Sequence, residues 1–332
     1  MGRLGELVRT VLSLYFVAHD FAIWLFSHLV RHGILVREDV AGSDPLASSK
    51  RVAVYVHFDR DGLVHDYVEH QLRQLLQSGF RIVFVSNSPV FPEASRLRIL
   101  PLCARLMWRH NTGYDFGAYK DGISSLGDLG ELDSLLLMND SIYGPFRKLD
   151  ETLSAIDPSK FDFWGIADSW EHQYHLQTFF VLFYPRALQS AAFKRFWDRH
   201  RYINNKGWVI RNGEVMLTQQ LARERLRGGA LVPYWEAAER MKERLPALEA
   251  QAFNETERVV FNRLRMALLR GRPINSMHYF WDLAIEEFGC PFIKRELLKA
   301  NPAGIFRTSR WPDVVASRSD YDVSLIQRHL GP

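Results

Sequence analysis

Two short apolar runs rich in β-branched residues, RVAVYVHF at 51–58 and RIVFVSN at 81–87, constrain this chain more than any other feature. Each reads as a strand buried on both faces, because a solvated face would impose alternation with polar residues. Between them Val64, Tyr67, Val68, Leu72, Leu75 and Leu76 recur at helical spacing, and Gly79 stops the pattern. Strand, helix and strand thus fit within about 35 residues, as a right-handed crossover between parallel strands requires. SLLLMND (134–140), FDFWGIAD (161–168) and HLQTFFVLFYP (175–185) read as three further strands. From about residue 187 helical periodicity takes over, and segment 236–270 is charged and amphipathic, interrupted by Pro246. The expectation is an α/β fold: a mostly parallel central sheet, with a second half of helices that cover it.

With 332 residues and 47% hydrophobic side chains, the chain can bury a substantial core, which excludes a disordered or disulfide-scaffold protein. The 42 basic and 38 acidic residues leave a net charge of +4 with no dense Lys/Arg block, so no nucleic-acid partner is expected. The two cysteines, Cys103 and Cys290, suit a reducing cytosol.

Residues 8–30 resemble a membrane span, yet Asp20 and His19 stand at its middle, where an Asp costs about 2.5–3.5 kcal/mol on insertion scales. No small-residue cleavage site follows, which argues against a signal peptide. Wound as a helix, Arg9, Ser13, Asp20, Ser27 and Arg31 form one narrow polar stripe. Two readings stay open: a helix lying in a membrane interface with Trp24 and Phe26 dipping inward, or a helix packed on the domain or a partner. Residues 1–40 are taken as this segment, 40–50 as a small polar linker, 51–235 as the core and 236–332 as a helical region packing on it.

Ligands of open α/β sheets bind beyond the carboxyl ends of the strands. Those ends carry His57, Phe58 and Asp59, then Ser86, Asn87 and Ser88, then Asn139, Asp140 and Ser141, then Asp168 and Ser169. Such residues also cap the next helix, so each alone reads more readily as structure than as chemistry, and only the set of four ends together points to a site. No GxGxxG, Walker A, HExxH, CxxC or GxSxG pattern occurs, which removes the dinucleotide, P-loop, zinc-protease and serine-hydrolase cradles. LLLMNDS stands out as a buried strand that ends on an acid, which reads either as a cap or turn before Gly144-Pro145 or as a ligand for a hard divalent cation.

VAVYVHFDRDGLVHDYVEHQL, NTGYDFGAYKDGI, LLLMNDSIYGPF, FWGIADS with HLQTFFVLFYPRAL, GCPFIKRELLKANP and RSDYDVSLIQRHL together resemble the rhamnan synthesis protein F family. The likeness runs from about residue 51 to near the C-terminus. It implies a relative of GT-A glycosyltransferases, a nucleotide-binding α/β sandwich with a nucleotide-sugar donor such as dTDP-rhamnose. By that resemblance Phe58, Asp59 and Asn87 hold the donor base and ribose, Asn111, Gly113 and Asp115 line the nucleotide and diphosphate, and Lys120 meets phosphate. Asp140 takes the place of the metal-binding acid for Mg²⁺ or Mn²⁺. The usual motif has two Asp, and this chain has Asn139-Asp140-Ser141, which implies weaker or partial metal dependence. Glu214 is the implied catalytic base at the start of a helix, with Asp168 as its rival. The implied activity is an inverting rhamnosyltransfer to a lipid-linked or growing surface polysaccharide, at the inner face of the bacterial cytoplasmic membrane. A non-catalytic glycan-binding or scaffold subunit is the alternative. A nucleotidyltransferase would need a Gly-rich basic loop after the first strand, which VHFDRDG does not supply.

Overall fold

The computed structural model describes residues 15, 18, 19, 21–25, 27, 35–251 and 253–331. In chain order the strands are β1 (Val36–Ala41), β2 (Arg51–His57), β3 (Arg81–Ser86), β4 (Arg105–Arg109), β5 (Ser134–Asn139), β6 (Ile142–Tyr143), β7 (Phe163–Ser169), β8 (His175–Leu176), β9 (Phe180–Phe183), β10 (Gly228–Val232) and β11 (Ile293–Lys294). Eight form one sheet in the order β1-β4-β3-β2-β5-β9-β7-β10, with β8 paired beside β7, while β6 and β11 form a separate ribbon. β1 and β9 run antiparallel to their sheet neighbours, and the remaining pairings along that order are parallel. The expected mostly parallel α/β sheet is therefore present.

Strand β2 shows why its sequence lacks alternation. Ala53 and Tyr55 belong to the hydrophobic cluster on one face of the sheet, and Val52, Val54 and Val56 to the cluster on the other. The chain steps from β2 outward through β3 to β4, then returns to place β5 on the opposite side of β2. The direction of winding reverses between β2 and β5, and an open α/β sheet leaves its ligand crevice at such a point.

The helix Tyr114–Ser124 lies on the second face, where Gly122 lets it settle on β2. A Cβ at that glycine would stand 2.5 Å from Val54 Cγ1. Gly113 precedes the helix with φ +81°, a left-handed conformation that favours glycine. On the first face the helices Tyr234–Glu249 and Glu255–Leu269 pack Met241, Leu245, Phe261 and Leu264 into the cluster that holds Trp164 and Ile166. Pro246 sits inside the first of these helices near its end, and Asn254 and Glu257 form a capping box at the start of the second.

The sequence gives no sign of β1, β4 or β10 as strands. β1 holds Arg37, Glu38 and Asp39 among its six residues, and all but Ala41 lie inside segment 1–40, expected as an amphipathic helix; the last residues of that segment form a strand. As an antiparallel edge strand it pairs those charges instead: Glu38 with Arg96 and Asp39 with Arg105, each at 2.6 Å. Such charges also protect an edge from pairing with other chains. The run expected as one strand over 175–185 divides into β8 and β9, which pair antiparallel with two different stretches of β7, Asp168–Ser169 and Phe163–Gly165.

Among the described residues of the N-terminal segment, Ser27 is buried and Ile23 packs against the second cluster, while Tyr15, Phe21, Trp24 and Leu25 are exposed. Arg9, Ser13, Asp20, Phe26 and Arg31 of the expected amphipathic pattern lie outside the described residues. No helix of the described residues is long and apolar enough to cross a membrane.

Candidate functional site

A cleft of about 800 Å³ opens beyond the carboxyl ends of β2 and β5. Its size falls within the range of small-molecule sites. Phe58, Asn111, Asp115, Asp140 and Glu214, all expected site residues, line it together. The shared cleft places Asn111 and Asp140 on one side of the molecule, although they come from separate loops. Asp59, Asn87, Gly113, Lys120 and Asp168 do not line it.

Asp140 follows β5 and is 4% exposed. Its Oδ2 accepts from the Phe58 backbone N–H at 3.2 Å and from Arg295 Nη1 at 3.0 Å. Arg295 Nη1 also donates to the Tyr67 hydroxyl at 2.7 Å. Burial works against the guanidinium charge, but Asp140 and Tyr67 outweigh it and hold the Arg295 pKa above its ordinary value. Asn139 is equally committed: its Nδ2 donates to Asp115 Oδ2 at 2.9 Å, and its Oδ1 accepts from the Ser141 N–H and hydroxyl. Burial, reinforced by Asp140, pushes the Asp115 carboxyl up to about 6.

Arg295 and Lys294 reach the cleft through the small ribbon. Ile293 pairs with Tyr143 and Lys294 with Ile142, which ties a segment near the C-terminus to the loop after β5. Lys294 Nζ lies 3.8 Å from the Phe179 ring centroid. Removal from water lowers its ammonium to about 8, against the opposing pull of Glu214 and Asp115. Neither cation was marked by spacing, since they are some 155 residues from Asp140 in sequence. GCPFIKRELLKANP enters only through the family resemblance.

Glu214 does not open a helix, contrary to the expectation. It lies in a π-helical turn, Ile210–Val215, between the helices Lys206–Val209 and Met216–Arg223, so a helix N-terminus does not explain its carboxylate. Such turns often sit at functional sites. Glu214 Oε2 accepts from the Thr178 hydroxyl at 3.2 Å, and Oε1 lies 3.5 Å from His175 Nε2. The other imidazole nitrogen, Nδ1, is 2.7 Å from the Gln173 carbonyl, which can only accept. Nδ1 therefore carries a hydrogen, and Nε2 faces the Glu214 carboxylate. Glu171 and His172 line the same wall.

The remaining expected residues serve the frame. Asp168 Oδ1 accepts from Tyr234 N at 2.5 Å at the start of the helix Tyr234–Glu249, and burial pushes its carboxyl up to about 6. Asn87 bridges Tyr114 O and Arg109 Nη1 at 3.1 and 2.7 Å. Lys120 Nζ donates to the Asp198 and His200 carbonyls at 3.1 and 2.8 Å. Gly113 N donates to Asn204 Oδ1 at 2.7 Å. Asp59 turns from the cleft toward His65, 3.4 Å away.

Residues 82–232 match the family model described as Rhamnan synthesis protein F. The uncharacterized protein y4gN of Sinorhizobium fredii is 35% identical over 154 residues, 45% of this chain and 40% of that one. The virulence protein VirA of Vibrio anguillarum is 26% identical over 291 residues, 83% of this chain and 88% of its own length. Among solved structures, a cytidylyltransferase from Leptospira borgpetersenii overlays with TM-score 0.33 and 9% identity, covering 54% of this chain and 75% of its own. The galactosyltransferase LgtC, in complex with donor and acceptor sugar analogs, gives 0.32 at 12% identity, covering 84% and 100% respectively. The mannosyltransferase Ktr4p from S. cerevisiae gives 0.27 at 10% identity, covering 61% and 75%. Overlays this loose define no substrate, and the strand order itself carries the fold. The stretch from 82 to 232, which holds NTGYDFGAYK and MNDSIYGPF, bears the rhamnan synthesis protein F pattern.

Proposed function

We propose that the cleft binds a nucleoside-diphosphate sugar and that the protein is an inverting glycosyltransferase, with a rhamnosyl donor such as dTDP-rhamnose and a surface-polysaccharide or lipid-linked acceptor. One observation carries the reading: a carboxylate–imidazole pair, Glu214–His175, and a cation pair, Lys294 and Arg295, converge on one cleft beyond the switch point of the sheet. Glu214 removes the proton of the acceptor hydroxyl while that oxygen attacks C1 of the sugar. The bond from C1 to the diphosphate oxygen breaks, the configuration at C1 inverts, and the nucleoside diphosphate leaves with the bonding pair. Lys294 and Arg295 meet the charge that grows on the departing phosphate.

The residues around Asp140 fit a divalent cation poorly. One carboxylate oxygen is held by Arg295 and Phe58 N, and the flanking groups are an amide and a hydroxyl engaged with each other. On this reading the protein's own cations supply the positive charge, and no step passes through a metal.

The test measures release of nucleoside diphosphate from a panel of sugar donors with glycan acceptors. Glu214→Gln is expected to lower kcat by about 10²–10⁴-fold, the range for losing a general base, with donor affinity retained. Full activity in that variant would remove Glu214 from its role. Absence of turnover with every donor, alongside retained glycan binding, would favour the scaffold reading that the lone Asp140 invites.

A further inference from the structure

Behind the cleft, and outside its lining, three potential metal ligands meet: Asp59 after β2, His65 just before the helix Asp66–Gln77, and His329 in the helix Ser324–Leu330. One ligand atom from each lies within 4.8 Å of the other two. We propose that these three residues form a binding site for a zinc-class transition-metal ion, separate from the sugar-donor cleft and tying the C-terminal helix to the edge of the sheet.

Three features support the site. The first is distance: Asp59 Oδ2 and His65 Nε2 are 3.4 Å apart, close to the edge of a tetrahedron whose ligands stand about 2.0–2.1 Å from a central zinc. The His65 and His329 rings lie tilted at 56° to each other with centroids 4.2 Å apart. The second is orientation by outer partners. Asp59 Oδ1 accepts from the Asp61 and Leu63 N–H groups at 2.9 and 3.0 Å, leaving Oδ2 to face the imidazoles. Tyr143 OH meets His329 Nδ1 at 2.8 Å, which fixes that ring and leaves Nε2 for an ion. The third is an open position. His65 and His329 line a separate cavity of about 340 Å³, where a water or an exogenous ligand could complete four-coordination. The two guanidiniums on that cavity, Arg98 and Arg328, are both paired with Asp66, at 2.6 and 2.8 Å. Two nitrogens and one oxygen favour a borderline ion over Mg²⁺ or Ca²⁺, which prefer all-oxygen sets.

The experiment uses the full chain, stripped with a chelator, and Zn²⁺ itself as probe, in competition with a chromophoric chelator. One Zn²⁺ per chain is expected, and a melting midpoint that rises when Zn²⁺ is added. His65→Ala is expected to weaken binding by about 100-fold or more and to abolish the rise, since losing a nitrogen bonded to the ion costs more than the 10–100-fold typical of losing an outer partner. His65 is partly exposed, and its backbone carbonyl, which accepts from Val68 and Glu69 N–H, is kept in the alanine variant, so circular dichroism should report an intact fold. His65→Cys, which restores a zinc ligand, is expected to recover one-to-one binding. Failure of the stripped protein to take up Zn²⁺, or equal affinity in wild type, His65→Ala and His329→Ala, would overturn the site. Neither readout involves glycosyl transfer, so the result stands apart from the proposed activity.

Discussion

Lys294 combines a pKa of about 8 with a position on the cleft wall, so binding of the proposed donor is expected to depend on pH in a definite direction. Removal from water depresses the folded value below the ordinary 10.5, so the ammonium is present below about pH 8 and lost above it. The KM for the donor should therefore rise as pH passes upward through 8. Lys294→Arg, whose charge persists, should move that limb to higher pH; a KM flat from pH 7 to 9.5 in wild type would exclude Lys294 from diphosphate binding. Arg295 gives a second expectation. With its guanidinium already neutralising Asp140, Mg²⁺ or Mn²⁺ added to chelator-treated protein should leave kcat within about twofold, whereas a metal-dependent enzyme would lose several kcal/mol of charge stabilisation without its ion. At this scale the sequence was partly legible. A strand ending in an acid pointed to Asp140, because hydrophobicity marks strands and their ends mark crevices. It could not show that Lys120 would be consumed by the Asp198 and His200 carbonyls, or that Lys294 would arrive in its place. Those outcomes depend on tertiary contacts between distant segments, which local pattern does not encode.

The elements that position the site depend on close approach. Gly122 allows the helix Tyr114–Ser124 to rest on Val54 of β2, and the start of that helix contributes Tyr114, Asp115 and Phe116 to the cleft. Gly122→Ala should cost about 1–3 kcal/mol, the usual penalty for overpacking, and lower the denaturant midpoint. An unchanged midpoint would mean that the helix can shift without loss. The parallel strands β2, β3, β5 and β7 were readable because burial on both faces demands uninterrupted apolar runs. β4 and β10 were not: RLMWR carries an arginine at each end, and GGALV begins with two glycines that a propensity argument assigns to turns. Phe161 and Phe163 explain those glycines, since their rings fill the space where side chains would stand. The Arg109 end of β4 is likewise satisfied out of sight of the sequence, by Asp121 at 2.6 Å.

Across the whole molecule, the N-terminal segment meets the core through Ile23 and Ser27 while presenting Phe21, Trp24 and Leu25 outward. A membrane-interface role for that surface remains our proposal, and it suits an enzyme whose acceptor is held by lipid. Because β1 occupies 36–41 and pairs with β4, removal should stop at residue 34 so that the sheet keeps its edge. A chain lacking residues 1–34 should move from the membrane fraction to the supernatant after lysis; an unaltered distribution would discard the interface role. The overall architecture was legible because the alternation of buried runs and helical stripes recurs along the first half. The covering helices were legible only as helices, since amphipathic stripes reveal a buried face without naming what it is buried against.

The pairing of β11 with β6 carries one last implication, for biosynthesis. Asp115, Asp140 and Glu214 of the cleft are all translated by position 214, yet Lys294 and Arg295 follow some eighty residues later. A message cut short in that interval would yield a product with those three carboxylates but without the guanidinium that pairs Asp140 and the ammonium that faces Glu214 and Asp115.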